Sequence, residues 1–69
     1  MSKFTDFFRF YREKANLTQQ QVADYLQIPY KTYNHYESCY VEPPLYILFK
    51  LLNLYNLNIS DYLTLSINN

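Results

Sequence analysis

His35 and Cys39 are the chain's single histidine and single cysteine, and no second base or ligand stands at a useful spacing from either. There is no Ser-His-Asp arrangement and no carboxylate cluster. The chain has no glycine at all, so it has no glycine-rich phosphate loop. An active site has nothing to be built from, and a structural zinc site lacks its ligand set. What the sequence does concentrate is hydrogen-bonding chemistry. Tyr30, Lys31, Asn34 and His35 fall within one short segment, at spacings that place them together on a helix. A side-chain amide such as that of Asn34 suits the edge of adenine. This set reads rather than reacts, so the expectation is no enzyme, no cofactor and no metal.

The elements that must position these residues are helical throughout. Phe4, Phe7, Phe8 and Tyr11 recur at i, i+3, i+4, i+7, which predicts a first helix from Ser2 or Thr5 to Ala15. Asn16 then takes the left-handed turn that glycine would otherwise supply. Thr18-Gln19-Gln20-Gln21 is a capping box that opens a second helix with Val22, Ala23 and Leu26 inward. Gln27 breaks it, and Pro29 biases Ile28 away from helix and starts the next one. The third helix covers Tyr30 to Glu37, with Tyr33 and Tyr36 facing inward and Tyr30, Lys31, Asn34 and His35 on the other side. Ser38 to Glu42 reads as a loop, and Pro43-Pro44 opens a fourth helix with Leu45, Leu48, Leu51, Leu52 and Tyr55 in register. Asn56 marks another C-terminal turn. Asn58 caps a short fifth helix containing Ile59, Asp61, Tyr62 and Leu63. The predicted fold is all-α, five short helices in one domain over 1–69, with residues 64–69 as a tail.

The second and third helices, joined by a tight turn, make a helix-turn-helix unit over Thr18 to Glu37. Such a unit needs a small residue where the helices cross, and Ala23 supplies it. It needs apolar residues on both inner faces and in the turn, and Val22, Leu26, Ile28, Tyr33 and Tyr36 supply them. It leaves the outer face of the third helix free to reach base edges in a major groove.

The chain resembles the lambda-repressor/Cro-like (XRE-type) helix-turn-helix family. The resemblance is carried by Leu17 to Leu26 (LTQQQVADYL), Ile28, Thr32 and Tyr36-Glu37. Pro43, the Leu-rich fourth helix and Asn58 to Leu63 extend it over about residues 4 to 63. It implies sequence-specific binding of double-stranded DNA by a small transcriptional regulator, a repressor of bacterial or phage type. It implies a homodimer on a two-fold related operator. By position, the resemblance assigns Gln19 to a DNA phosphate, and Tyr30, Lys31 and His35, with Asn34 beside them, to the bases. It places Tyr40 near phosphate and makes Arg12 and Glu37 a structural pair tying the first helix to the end of the third. The chain departs from the family where Gln27 and Cys39 stand in place of turn glycines, where Pro29 replaces a hydroxyl cap, and where residues 38–42 carry no Lys or Arg.

Bulk properties bound this reading. Six Lys+Arg balance six Asp+Glu in 69 residues, where nucleic-acid binders usually carry a basic excess. That balance, with exposed tyrosines such as Tyr25, Tyr30 and Tyr40, supports an alternative: a protein-interaction module that keeps the fold with little DNA affinity. A chain this short buries only about 60% of its unfolded surface. With one cysteine it forms no internal disulfide, so packing or a dimer, through the fifth helix and Leu65 to Ile67, must stabilise it. A lone thiol, no membrane-length apolar run and a charged N-terminal segment point to a soluble, cytoplasmic protein.

Overall fold

The computed structural model describes the backbone of residues 3–38 and 41–67 and the side chains of 7–38 and 41–64. Among the described residues the architecture is five α-helices and no strand: α1 Lys3–Lys14, α2 Gln19–Leu26, α3 Tyr30–Glu37, α4 Leu45–Leu54 and α5 Ile59–Ile67. The all-α expectation holds, and the helix-turn-helix is α2, its turn and α3; the expected tail from residue 64 is corrected, since α5 continues to Ile67. No helix of the described residues is long and apolar enough to cross a membrane.

Three of the helices end in the same way without glycine. Asn16, Gln27 and Asn56 have φ of 60°, 59° and 59°. The residue after each turns its N–H back to a carbonyl five positions earlier: Leu17 to Arg12 at 3.1 Å, Ile28 to Ala23 at 3.1 Å and Leu57 to Leu52 at 2.8 Å. This is the Schellman closure, which satisfies carbonyls the helix would otherwise leave open. Each of Leu17, Ile28 and Leu57 then packs against the core, which fixes the angle at which the chain leaves the helix. Asparagine enters the left-handed region with little penalty. Gln27 does not, and holding it there costs on the order of 1 kcal/mol.

Helix starts are specified as locally as the stops. Thr18 accepts from the Gln21 N–H at 3.0 Å, and the Gln21 side chain accepts from the Thr18 N–H at 2.8 Å. Asn58 and Asp61 repeat this reciprocal arrangement at 3.1 and 3.0 Å at the start of α5. Pro29 and Pro44 precede α3 and α4 in extended conformation, without a side-chain cap. Their carbonyls accept the first intrahelical bonds instead.

The core draws on four helices: Phe7 and Phe8 of α1, Val22, Ala23 and Leu26 of α2, Tyr33 and Tyr36 of α3, and Ile47, Leu48, Leu51 and Leu52 of α4. Each large aliphatic or aromatic side chain buried there contributes about 1.5–3 kcal/mol. From α5, Tyr62 closes the assembly, its ring 5.4 Å from Phe7 edge-on and 6.1 Å from Phe8 in a stack. Ala23 has no exposed surface, as a close helix crossing requires. In α4 the inward stripe differs from the expected one. Leu45 is 63% exposed and Ile47 takes its place in the core. Pro44 stands immediately before α4, so Leu45 lies in a first turn that has no preceding turn to pack beneath it. Cys39, Tyr40 and the side chains of Phe4 and of Leu65 to Ile67 lie outside the described residues.

Candidate nucleic-acid interface

The site is best built outward from Glu37, the last residue of α3. It is 1% exposed and is the one charged residue buried in the core of the described residues. Arg12 of α1 meets it with two nitrogens, Nε to Oε2 at 2.6 Å and Nη2 to Oε1 at 3.3 Å. The third guanidinium nitrogen, Nη1, donates to the Leu17 carbonyl at 3.0 Å, so Arg12 also anchors the turn between α1 and α2. Tyr33, one turn before Glu37, donates its hydroxyl to Oε2 at 2.7 Å. Gln19, at the start of α2, donates Nε2 to Oε1 at 2.9 Å.

Burial alone would push the Glu37 carboxyl upward. The hydrogen bonds from Arg12, Tyr33 and Gln19, with the guanidinium charge, outweigh it and hold the group below the usual carboxylate range. Arg12 is raised, chiefly by its bond to Glu37. Tyr33 moves far upward because its ring is buried and its proton is held on the carboxylate. At neutral pH this cluster is therefore a fixed carboxylate and guanidinium with a neutral phenol.

From this buried cluster the network reaches the surface. Gln19 Oε1 accepts from the Tyr30 hydroxyl at 3.0 Å and from Asn34 Nδ2 at 3.1 Å. One half-buried amide thus joins the N-terminus of α2 to two successive turns of α3. Tyr30 and Lys31 are exposed, and Asn34 and His35 are half-buried. Tyr30 and Asn34 are four apart, as are Lys31 and His35, so the four form two adjacent rows on the helix. At the open end of α2, Thr18 satisfies the N–H of Gln21 and its carbonyl that of Val22. The N–H groups of Gln19 and Gln20 precede the first intrahelical bond, and the helix dipole there favours an anion.

Five of the sequence-derived residues are thus one connected unit: Arg12, Glu37, Gln19, Tyr30 and Asn34. Lys31 and His35 share the helix with them, and Tyr40 lies outside the described residues. Sequence reasoning missed Tyr33, placed there only in the core. Its spacing of four from Glu37 on one helix was the available signal. Among the described residues no group of three or more His, Cys, Asp or Glu could hold a metal ion.

Comparison with known proteins agrees with this fold. A family model described as helix-turn-helix matches residues 8–62. The chain is 42% identical over 52 residues to "HTH-type transcriptional regulator ImmR" of Bacillus subtilis (strain 168), a match covering 75% of this chain and 40% of that protein. The chain therefore corresponds to less than half of that relative's length. No solved structure matches it.

Proposed function

The chain belongs to the lambda-repressor/Cro-like (XRE-type) helix-turn-helix family, and on that premise we propose that it binds double-stranded DNA sequence-specifically as a small transcriptional regulator, a repressor of bacterial or mobile-element type. One observation carries the reading. A buried ion pair holds the Gln19 amide at the start of α2, and that amide holds Tyr30 and Asn34 on α3. A surface intended only to be wet has no need of such orientation, whereas a surface that docks α3 into a groove gains from it.

The roles follow from position. Gln19 and the open N-terminal end of α2 take a backbone phosphate. Tyr30, Lys31, Asn34 and His35 face base edges in the major groove. Two copies on a two-fold related operator place half-sites about one helical turn apart.

A salt-titrated binding assay tests this, with duplexes selected from a random pool and scrambled duplex as the comparison. We expect a selected duplex to bind at least about a thousandfold more tightly than scrambled DNA. Equal binding of selected and scrambled duplex at low salt would remove the proposal.

The zero net charge and an outward face of α4 carrying Leu45, Tyr46 and Phe49, at 63%, 66% and 49% exposure, favour a second reading, a protein-interaction module on the same fold. It requires that α3 carry no local positive potential. Lys31 is exposed there and Arg12 is neutralised by Glu37, so the sign of that face rests on Lys31.

A further inference from the structure

The buried ion pair also dictates which hydrogen-bonding groups α3 has left to offer. Glu37 is an ionised carboxylate, which only accepts. The atom of Gln19 that faces it at 2.9 Å must therefore be the amide nitrogen, and this fixes which way the Gln19 side chain is turned. Its oxygen consequently faces α3, and an amide oxygen only accepts. Both groups that meet it must donate: the Tyr30 hydroxyl at 3.0 Å and the Asn34 amide nitrogen at 3.1 Å.

Each donor count then closes. Tyr30 has one proton and it is committed, so its exposed hydroxyl offers lone pairs alone. Asn34 keeps one N–H and its carbonyl. Gln19 keeps one N–H. A phosphate oxygen, guanine O6 and N7, and thymine O4 all require a donor. The Gln19 N–H can meet them, and Tyr30 cannot without breaking its bond to Gln19. In the major groove the groups that donate are the exocyclic amines, adenine N6 and cytosine N4.

We propose that the Arg12–Glu37 pair sets the hydrogen-bond polarity of the α3 surface through Gln19, and that Tyr30 is thereby a specificity-determining residue that accepts a hydrogen bond from a base amino group and disfavours guanine and thymine at that position. This rests on the DNA-binding reading above. Gln19 and Glu37 are positioning residues here: they determine what Tyr30 can read. Tyr30→Phe suits the test because the side chain is 46% exposed in the first turn of α3 and Asn34 still satisfies the Gln19 oxygen without it.

The experiment selects binding sites from randomised duplexes at one salt concentration with the full chain and two variants, Tyr30→Phe and Gln19→Met. The unaltered chain should enrich a motif in which one position prefers adenine or cytosine by about 10-fold. Tyr30→Phe should lose that preference and keep the others. Gln19→Met binds more weakly, but its readout is base choice: with the Tyr30 proton released, guanine or thymine should now be tolerated at the same position. Binding of the unaltered chain to a motif lacking the exocyclic amine there should fall by a similar factor, and that of Tyr30→Phe should not. If a motif is enriched but both variants leave every position unchanged, or the affected position prefers guanine or thymine in the unaltered chain, the polarity relay is overturned and the DNA-binding reading stands. If the unaltered chain enriches no motif, the DNA-binding reading falls and takes the relay with it.

Discussion

The Gln19 amide nitrogen lies 2.9 Å from the Glu37 carboxylate, and these two residues join the buried charge of the domain to its outer surface. Glu37 has almost no solvent access and meets four donors from Arg12, Tyr33 and Gln19. Removing it leaves the guanidinium of Arg12, itself largely covered, without its counter-charge. Glu37→Ala should therefore destabilise the fold by about 3–5 kcal/mol, a large part of what a chain of this size possesses. Urea denaturation with circular dichroism reads it out, and a loss below about 1 kcal/mol would mean that water or another group replaces the carboxylate.

The same carboxylate makes stability fall in acid. Its folded pKa lies below the ordinary value, so the unfolded chain takes up the proton first as pH drops. The contribution is complete above the normal glutamate range and is lost as pH falls through that range towards the depressed folded value. Denaturation midpoints recorded from pH 7 to pH 2 should decline there in the unaltered chain, and the decline should be shallower in Glu37→Gln if that variant folds.

Alkali acts through the tyrosines with the opposite sign. Tyr55 is pushed up to about 12, mainly by burial, and Tyr33 lies higher still. Among the described residues the buried Tyr55 hydroxyl has no hydrogen-bond partner of good geometry, so ionising it would strand a charge in the core. Both phenols keep their protons in the folded state while the unfolded chain releases them near pH 10. Stability is thus complete below pH 10 and lost progressively above it. Ultraviolet titration of tyrosinate should show a late fraction that titrates only with unfolding. Tyr55→Phe, which removes a buried hydroxyl whose contact with Tyr33 lacks good hydrogen-bond geometry, should fold with similar stability.

Gln27 tests how far the turn of the helix-turn-helix is strained. With φ 59° and ψ 43° it occupies the left-handed region with a full side chain. Gln27→Gly should stabilise by up to about 1 kcal/mol, and Gln27→Val should destabilise by more than that, since a β-branched residue is a true outlier there. Thermal melts of the three chains decide it. Asn16→Gly and Asn56→Gly should change little by comparison, because asparagine already suits φ near 60°.

The contrast between local and distant information explains what could be read from the chain alone. Thr18 and Gln21 are three residues apart, so their capping box was visible as a pattern, and so were the stripe of Val22, Ala23 and Leu26 and the break at Gln27. The α4 stripe holds at Leu48, Leu51 and Leu52 and fails at Leu45, because periodicity gives the spacing of a face but not where along the helix its cover begins. Pro44 puts Leu45 in the first turn, and Ile47 is the first residue of α4 to reach the core. The bonds of Gln19 to Tyr30, Asn34 and Glu37 span 11, 15 and 18 residues. They depend on how α2 crosses α3, which no spacing rule encodes. The family resemblance could assign Gln19 a phosphate, but only the crossing reveals that its orientation is set from the core.

Lys31 offers the most direct check on how α3 is used. It is exposed in the first turn of α3, one residue after Tyr30 and four before His35. In a groove it would donate to guanine O6 and N7, whereas on the rim it would meet phosphate. The proposed function puts it in the groove, with Tyr30 beside it on the exposed surface of α3. Lys31→Ala should then cost about 1–3 kcal/mol on the preferred duplex and relax the preference for guanine at a single position, while folding is unaffected. A salt titration separates the two placements. Uniform weakening over all sequences, with the slope of log affinity against log salt reduced by about one, would move Lys31 to the phosphate backbone.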